Sequence, residues 1–279
     1  MDRTSPHLTH ITRADYLIVS APVGSVGIKK GMEGEQKIMP RRLSIQTYAR
    51  IGGVLFLVSL VAGGFGEGFA PSQLIAPGDA AATARHILNS DALFRVGFAC
   101  YLVEALCDVA LTVIFYVLLR PVNLIVTLGI VLFRLMATAT FAFAELFYFA
   151  PSLIVGNDTY LKSFSPEQLN TLTLLSLNLY GVGGVISLVF YGVASIGIGY
   201  LMFRSGYFPR ILGVLWVIGG AGFVLRTFAA VLAPNIPTMI LQAPQILAIL
   251  ILAIWLLAKG VNAATWEARA QAQAAVLLS

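Results

Sequence analysis

Six long apolar runs follow one another along the chain, at approximately residues 48–70, 92–119, 122–149, 173–203, 210–232 and 238–258. Each reaches the roughly 20 residues needed to cross a hydrocarbon core of about 30 Å. The pattern therefore predicts an all-α integral membrane bundle of six transmembrane helices. The polar stretches between the runs carry the boundary signals. "LLRPVN" at 118–123 sets a charge and a proline between two apolar runs, which predicts a tight hairpin of the second and third helices. "SPEQLN" from Ser165 offers an N-cap, a proline at the first helical position and an acid in the first turn, an earlier start for the fourth helix. "APGDAAATARHILNSD" reads as a short amphiphilic helix closed by a new cap at Ser90.

Residues 1–40 differ from the rest: Gly, Pro, Ser and mixed charge surround one apolar run, "YLIVSAPVGSVGI", broken by Pro22. The interruption and the lack of a cleavage site make it a poor signal peptide, and it is expected to be a disordered extension. Met39, directly before "PRRLSIQTYARIGG", offers a second start of translation beside Met1. The division expected is 1–40 extension, 41–260 transmembrane domain and 261–279 tail.

Composition sharpens the picture. The 279 residues are 58% hydrophobic and only 11% charged, far from an ordinary soluble domain. The net charge of +5 does not point to nucleic acid, because the basic residues are spread over termini and short connections. Their distribution reports orientation instead. Thirteen Lys and Arg lie in the N-terminal tail and in the turns at 120, 204–210 and 259 onward, whereas three lie in the opposite loops. By the positive-inside rule both termini face the cytoplasm. No internal repeat relates the first three helices to the last three, which weighs against repeat-built transporter folds.

Against this background a few charges need a physical reason. Glu104 and Asp108 are four apart on one face of the second helix, and Arg134 lies deep in the third. Counted from the turn at Arg120 and Pro121, Asp108 and Arg134 come to similar heights, about 19–20 Å away. A charge at mid-bilayer costs about 2.5–3.5 kcal/mol on the insertion scale. An Asp108–Arg134 ion pair inside the bundle is therefore predicted, with Glu104 either sharing Arg134 or carried as the neutral acid. That pair can fix helix register alone or serve function, and Glu104, the surplus acid, is the first candidate for proton chemistry.

A second set sits nearer the outer surface: Glu67, Arg95, Glu145 and Arg226. Arg95 and Glu67, so close to helix ends, are expected to snorkel to the interface, whereas Arg226 and Glu145 are expected to pair around an outward-opening cavity between helices 2, 3 and 5. Asn178, Gln242 and Gln245 read as hydrogen-bonding glue, with Pro244 kinking the last helix. Gly64 and Gly68 have GxxxG packing spacing, and "ELFYFAP" reads as an interfacial aromatic belt. "RSGYFPRILG" at 204–213 sets two arginines where they can touch anionic headgroups.

Several chemistries are set aside. Cys100 and Cys107 are about 10 Å apart along one helix, too far for a disulfide. His86, the one histidine beyond the N-terminal tail, falls in an outer loop, so neither a buried Ser-His nucleophile nor a histidine-held metal is expected. No phosphate-binding or dinucleotide fingerprint occurs. No metal and no cofactor are expected.

"ARIGGVLFLVSLVAGGF", "APGDAAATARHILNSDALFRVGF", "CDVALTVIFYVLLRPVN" and "SGYFPRILGVLWVIGG" together give the chain a likeness over about 44–258. It resembles a bacterial family of multi-pass membrane proteins known as a domain of unknown function. The resemblance implies a one-domain helical protein of the bacterial inner membrane and brings no established activity or site. Asp108 and Arg134 follow the family's pattern; Glu104 and Glu145 are not assigned to it.

The candidate ligand-binding set is thus Glu104, Asp108, Arg134, Glu145 and Arg226, with Glu104 and Asp108 the candidate catalytic acids. The partners expected are the lipid bilayer and a small or lipophilic ligand, not nucleic acid. The leading expectation is small-ligand binding or proton-coupled transport. The rivals are an intramembrane enzyme using a carboxyl acid on a lipid or isoprenoid, and a non-catalytic membrane subunit.

Overall fold

The computed structural model describes residues 43–155 and 159–278. The extension read from residues 1–40 lies outside them. The described residues form helices and no strand, as a lipid-exposed backbone requires when each peptide group must find its partner within its own segment.

Helix α1 (Ile45–Gly63) starts where the Ser44 side chain accepts from the Thr47 amide. It runs through a π-helical stretch, Gly64–Phe69, into the short α2 (Ala70–Leu74), and the three make one span. Helix α3 (Ala80–Asn89) is capped by Asp79, whose side chain accepts from the Ala82 amide. Helix α4 (Asp91–Leu119) follows at once; Ser90 stands at the junction, but its side chain makes no capping bond, contrary to the sequence reading. Asn123 caps α5 (Leu124–Ile154) by accepting from the Val126 amide, which completes the expected hairpin. Helix α6 (Pro166–Ser205) opens on a full capping box between Ser165 and Gln168, the earlier start that "SPEQLN" offered. Helix α7 (Arg210–Leu232), a 3₁₀ turn at Met239–Gln242, α8 (Ala243–Ala258) and α9 (Ala263–Leu278) complete the described chain.

Six helical stretches are long and apolar enough to cross a membrane, matching the six runs of the sequence. The 40 residues of α6 extend about 60 Å, twice the hydrocarbon thickness. Its N-terminal part reaches past the other spans, and α3 packs there.

The spans close into a ring in chain order. Each packs on its sequence neighbours, and α8 returns to pack on α1, as short connections between antiparallel helices favour. Glycines tighten two seams. At Gly192, Gly199, Gly213 and Gly220 a methyl group would stand 2.5–2.6 Å from a carbonyl oxygen of the facing helix, which brings α6 and α7 into backbone contact. At Gly53 a methyl would stand 2.9 Å from the Ala253 carbonyl oxygen, so α1 and α8 meet as closely. The Gln46 side chain accepts from the Val261 amide at 3.1 Å, which joins the start of α1 to the exit of α8 at the Arg120 hairpin end.

Two apolar clusters fill the ring at different heights. The larger, at the hairpin end, centres on Phe56, Phe115 and Trp216 in mutual edge contacts. Helix α9 meets this end through its first turn: the Trp266 indole and the Tyr207 hydroxyl both donate to the Leu118 carbonyl, at 3.1 and 2.6 Å. The stretch read as a tail carries this helix. The smaller cluster, at the opposite or far end, joins Leu74, Ile87, Phe94, Tyr148 and Leu177. Tyr148 stacks on Phe94 with ring centroids 5.0 Å apart, and Phe149 packs beside them. These two aromatics therefore sit inside the bundle rather than in a lipid-facing belt, because α3 and the extended α6 cover them.

Candidate functional site

Asp108, Thr112 and Phe115 recur at intervals of four and three along α4, so one helix face presents an acid, a hydroxyl and a ring. Arg134 of α5 fills the space they leave and is fully buried. Its Nη2 donates to the Asp108 carboxylate, and its Nε donates to the Thr112 hydroxyl at 3.0 Å. Thr138, one turn further along α5, donates to the second carboxylate oxygen of Asp108 at 3.1 Å. The guanidinium lies between the rings of Phe115 and Tyr191, 5.3 and 4.9 Å from their centroids. Planar and permanently charged, arginine can hydrogen-bond in its plane while aromatic faces cover it. The pair predicted from equal heights is formed, with both Asp108 oxygens bonded.

One turn away, Glu104 has a different environment. Its carboxyl lies over Gly63 of α1, where a methyl group would stand 2.5 Å from the nearer oxygen. Only a glycine at 63 lets this acid reach across to α1. There it comes within hydrogen-bonding reach of Glu67, carried by the π-helical stretch. A π turn shifts the register of the side chains that follow it and recurs at functional positions; here it carries Glu67 on the wall facing Glu104. A hydrogen bond between two carboxyl groups uses a proton held on one of them. Glu104 Oε2 is buried without a donor. Glu145, 3% exposed on α5, is near enough to interact electrostatically with both.

Glu67, Glu104 and Asp108 line a cavity of about 570 Å³ to which all six spans contribute. Tyr101, one turn before Glu104, also lines it; the residue is 3% exposed and its hydroxyl lacks a partner. Across the cavity stand Arg226 of α7 and Gln242, with the guanidinium donating to the Gln242 side-chain oxygen and Nε unpartnered. Phe56, Phe141, Leu188, Phe223 and Ile249 make the wall largely apolar between these polar points. Three lining glycines, Gly64, Gly68 and Gly181, have nothing within 4 Å of where a side chain would begin. All three are exposed and fall toward the far end.

Glu67 lines the cavity from the π-helical stretch and is an exposed residue. Several expectations need correction. Arg226 and Glu145 do not pair, and the two ion pairs among the described residues are Arg134–Asp108 and the exposed Arg95–Asp91. The reason is topological: α5 and α7 stand on opposite sides of α6 in the ring. Gly64 and Gly68 are not a packing pair; the close contact is made by Gly66, where a methyl would stand 2.8 Å from the Gly97 carbonyl oxygen. Asn178 is exposed rather than bridging. Gln245 is fully buried against Gly219, yet both polar atoms of its amide lack partners. The cavity belongs to all six spans rather than to three.

Sequence reading missed Thr112, Thr138, Tyr101 and Tyr191. The first two were accessible in principle, each standing one helical turn after its charged partner. Tyr191 was not, because nothing local places that position of α6 against Arg134 of α5. Among the described residues no group of three or more His, Cys, Asp or Glu side chains is arranged to hold a metal ion.

The comparisons with known proteins agree with this class of molecule. The pattern of the family described as "Domain of unknown function (DUF4386)" matches residues 51–260, and the chain belongs to that family. It is a multi-pass membrane protein. No curated protein and no solved structure matches the chain.

Proposed function

We propose that the protein binds a small ligand in the cavity between its six spans and couples occupancy to a proton carried by the Glu67–Glu104 pair. The observation that supports this reading is the pair itself: two carboxyl groups from different spans come together in a membrane-embedded cavity, with no ion pair to either among the described residues. Ionisable groups at membrane depth are costly and mark ion or substrate pathways. Asp108 differs, being neutralised from behind by Arg134. The titratable groups near enough to interact electrostatically with Glu104 are Glu67 from the π-helical stretch, Glu145 from α5, Tyr180 and Tyr191 from α6, and Tyr101 and Asp108 from its own helix. A ligand or a bulk proton arriving in the cavity changes the charge that this set carries.

The site is assigned to the bacterial inner membrane with both termini cytoplasmic, a reading supported by the Lys and Arg distribution. The far end then faces outward. The aromatic walls suit a second reading, in which the same protonated carboxyl acts as general acid on a lipophilic substrate. Comparing lipid extracts from cells with and without the protein separates the two, since binding alone leaves the profile unchanged.

The direct test is infrared spectroscopy of the reconstituted protein across pH, read together with proton movement into proteoliposomes. A protonated-carboxyl band that responds to pH and disappears in Glu104→Gln is expected. Absence of such a band, with proton flux equal to that of empty liposomes, defeats the reading.

A further inference from the structure

The cavity has two polar walls of opposite sign. On one side stand Glu67 and Glu104, with Glu104 Oε2 lacking a donor, and the buried Tyr101 hydroxyl lacking any partner. On the other stands Arg226, which hydrogen-bonds the neutral Gln242 and leaves its Nε unpaired. Each buried unpaired group carries a desolvation cost that a partner would remove. Among the described residues no carboxylate pairs with Arg226 and no cation pairs with Glu104, although both line the same space.

That arrangement discriminates among ligands by charge. A simple organic cation would be drawn to the carboxyl wall and repelled by Arg226. A simple anion would meet the reverse. A molecule carrying an ammonium and an anionic group satisfies both walls at once. The space between and beside them is lined by Phe56, Phe141, Leu188, Phe223 and Ile249. At about 570 Å³ the cavity falls within the range of pockets that enclose a whole small ligand, so there is room for an apolar body beside the two charged groups.

We propose that the ligand is an amphiphilic zwitterion, seated with its ammonium between Glu67 and Glu104, its anionic group on Arg226, and its apolar portion against the aromatic wall. This deepens the binding-site reading above and rests on it. The same chemistry is found in a membrane lipid with an aminophosphate headgroup and in an apolar amino acid. Because Gln242 already orients Arg226 and the Gly63 contact fixes Glu104, the two walls are held in place before a ligand arrives. Preorganisation of this kind raises selectivity for a ligand that matches both points.

The test measures binding by the purified full chain in uncharged detergent, using four probes: lysophosphatidylethanolamine, dodecylamine, dodecyl phosphate and phenylalanine. The first carries both charges on an apolar chain, the next two carry charge of one sign only, and the last is a soluble zwitterion. Lysophosphatidylethanolamine or phenylalanine is expected to bind at least tenfold tighter than either probe of one sign, and the better of the two identifies the source. Glu104→Gln and Arg226→Gln are each expected to abolish that preference, and Glu67→Gln provides a second acid variant should Glu104→Gln fold poorly. Dodecylamine binding as tightly as both zwitterions, unaffected by Arg226→Gln but lost in the cavity-filling Ala105→Trp, overturns the two-signed ligand and leaves the binding site standing. If no probe binds in a manner that Ala105→Trp removes, the binding-site reading falls and this inference with it.

Discussion

Asp108 and Glu104 stand one turn apart on the same face of one helix, and their surroundings could hardly differ more. Asp108 has both oxygens bonded, to Arg134 and to Thr138. Glu104 has a glycine beneath it, another carboxyl in front of it and an oxygen without a donor. One acid is completed by the protein itself; the other is left for something else to complete. The contrast separates two uses of charge in a membrane interior. A charge pair hydrogen-bonded across two helices holds them in register. An acid placed against a cavity without its counterion is a position where a proton or ligand can act.

The largest test of this contrast is Arg134→Leu, which leaves Asp108 unpaired in the bundle and is expected to cost about 3–5 kcal/mol. Unfolding in mixed micelles measures it, and the double variant with Asp108→Leu is expected to recover most of the loss. A single variant costing less than about 1 kcal/mol would falsify the structural role. Thr138→Val removes one hydrogen bond to the charged Asp108 and is expected to cost about 1.5–3 kcal/mol in the same assay. Gly63→Ala puts a methyl where the flexible end of Glu104 lies, and the carboxyl has the cavity to swing into; the cost is expected to be about 1 kcal/mol, and the infrared carboxyl band should shift as the pair separates. Glu104→Gln, by contrast, breaks no bond to a cation. It is expected to change stability by less than about 1 kcal/mol while removing the pH response. Smallest of all, Gly64→Ala adds a methyl to open space, and stability should move by no more than about 0.5–1 kcal/mol, in the favourable direction.

The fold was legible to a large extent. Six apolar runs and the "LLRPVN" and "SPEQLN" boundaries specify spans that the structure keeps, because the lipid core imposes a length and a composition that can be read locally. The Asp108–Arg134 pair was legible for a related reason: a tight hairpin makes height a matter of counting residues from one turn. Where no short connection links two helices, counting gives no such answer. Arg226 and Glu145 are at comparable depth, but α6 stands between their helices. The packing role of Gly64 and Gly68 was misread because the register there depends on the helix type at 64–69, and "GFGEGF" has no local mark that distinguishes a π turn from a packing motif.

Taken alone, the sequence determined that this chain spans the membrane six times, how its second and third spans meet, and that their buried charges neutralise each other. Those follow from the hydrophobic thickness of the bilayer and from the high cost of isolated charge within it. The tertiary structure decided that the ring closes through α1 and α8, that a cavity remains inside it, and that Glu67 and Glu104 share that space with Arg226. Such outcomes depend on which helix faces touch across many residues of separation, and side-chain packing, rather than local chain order, selects among the alternatives.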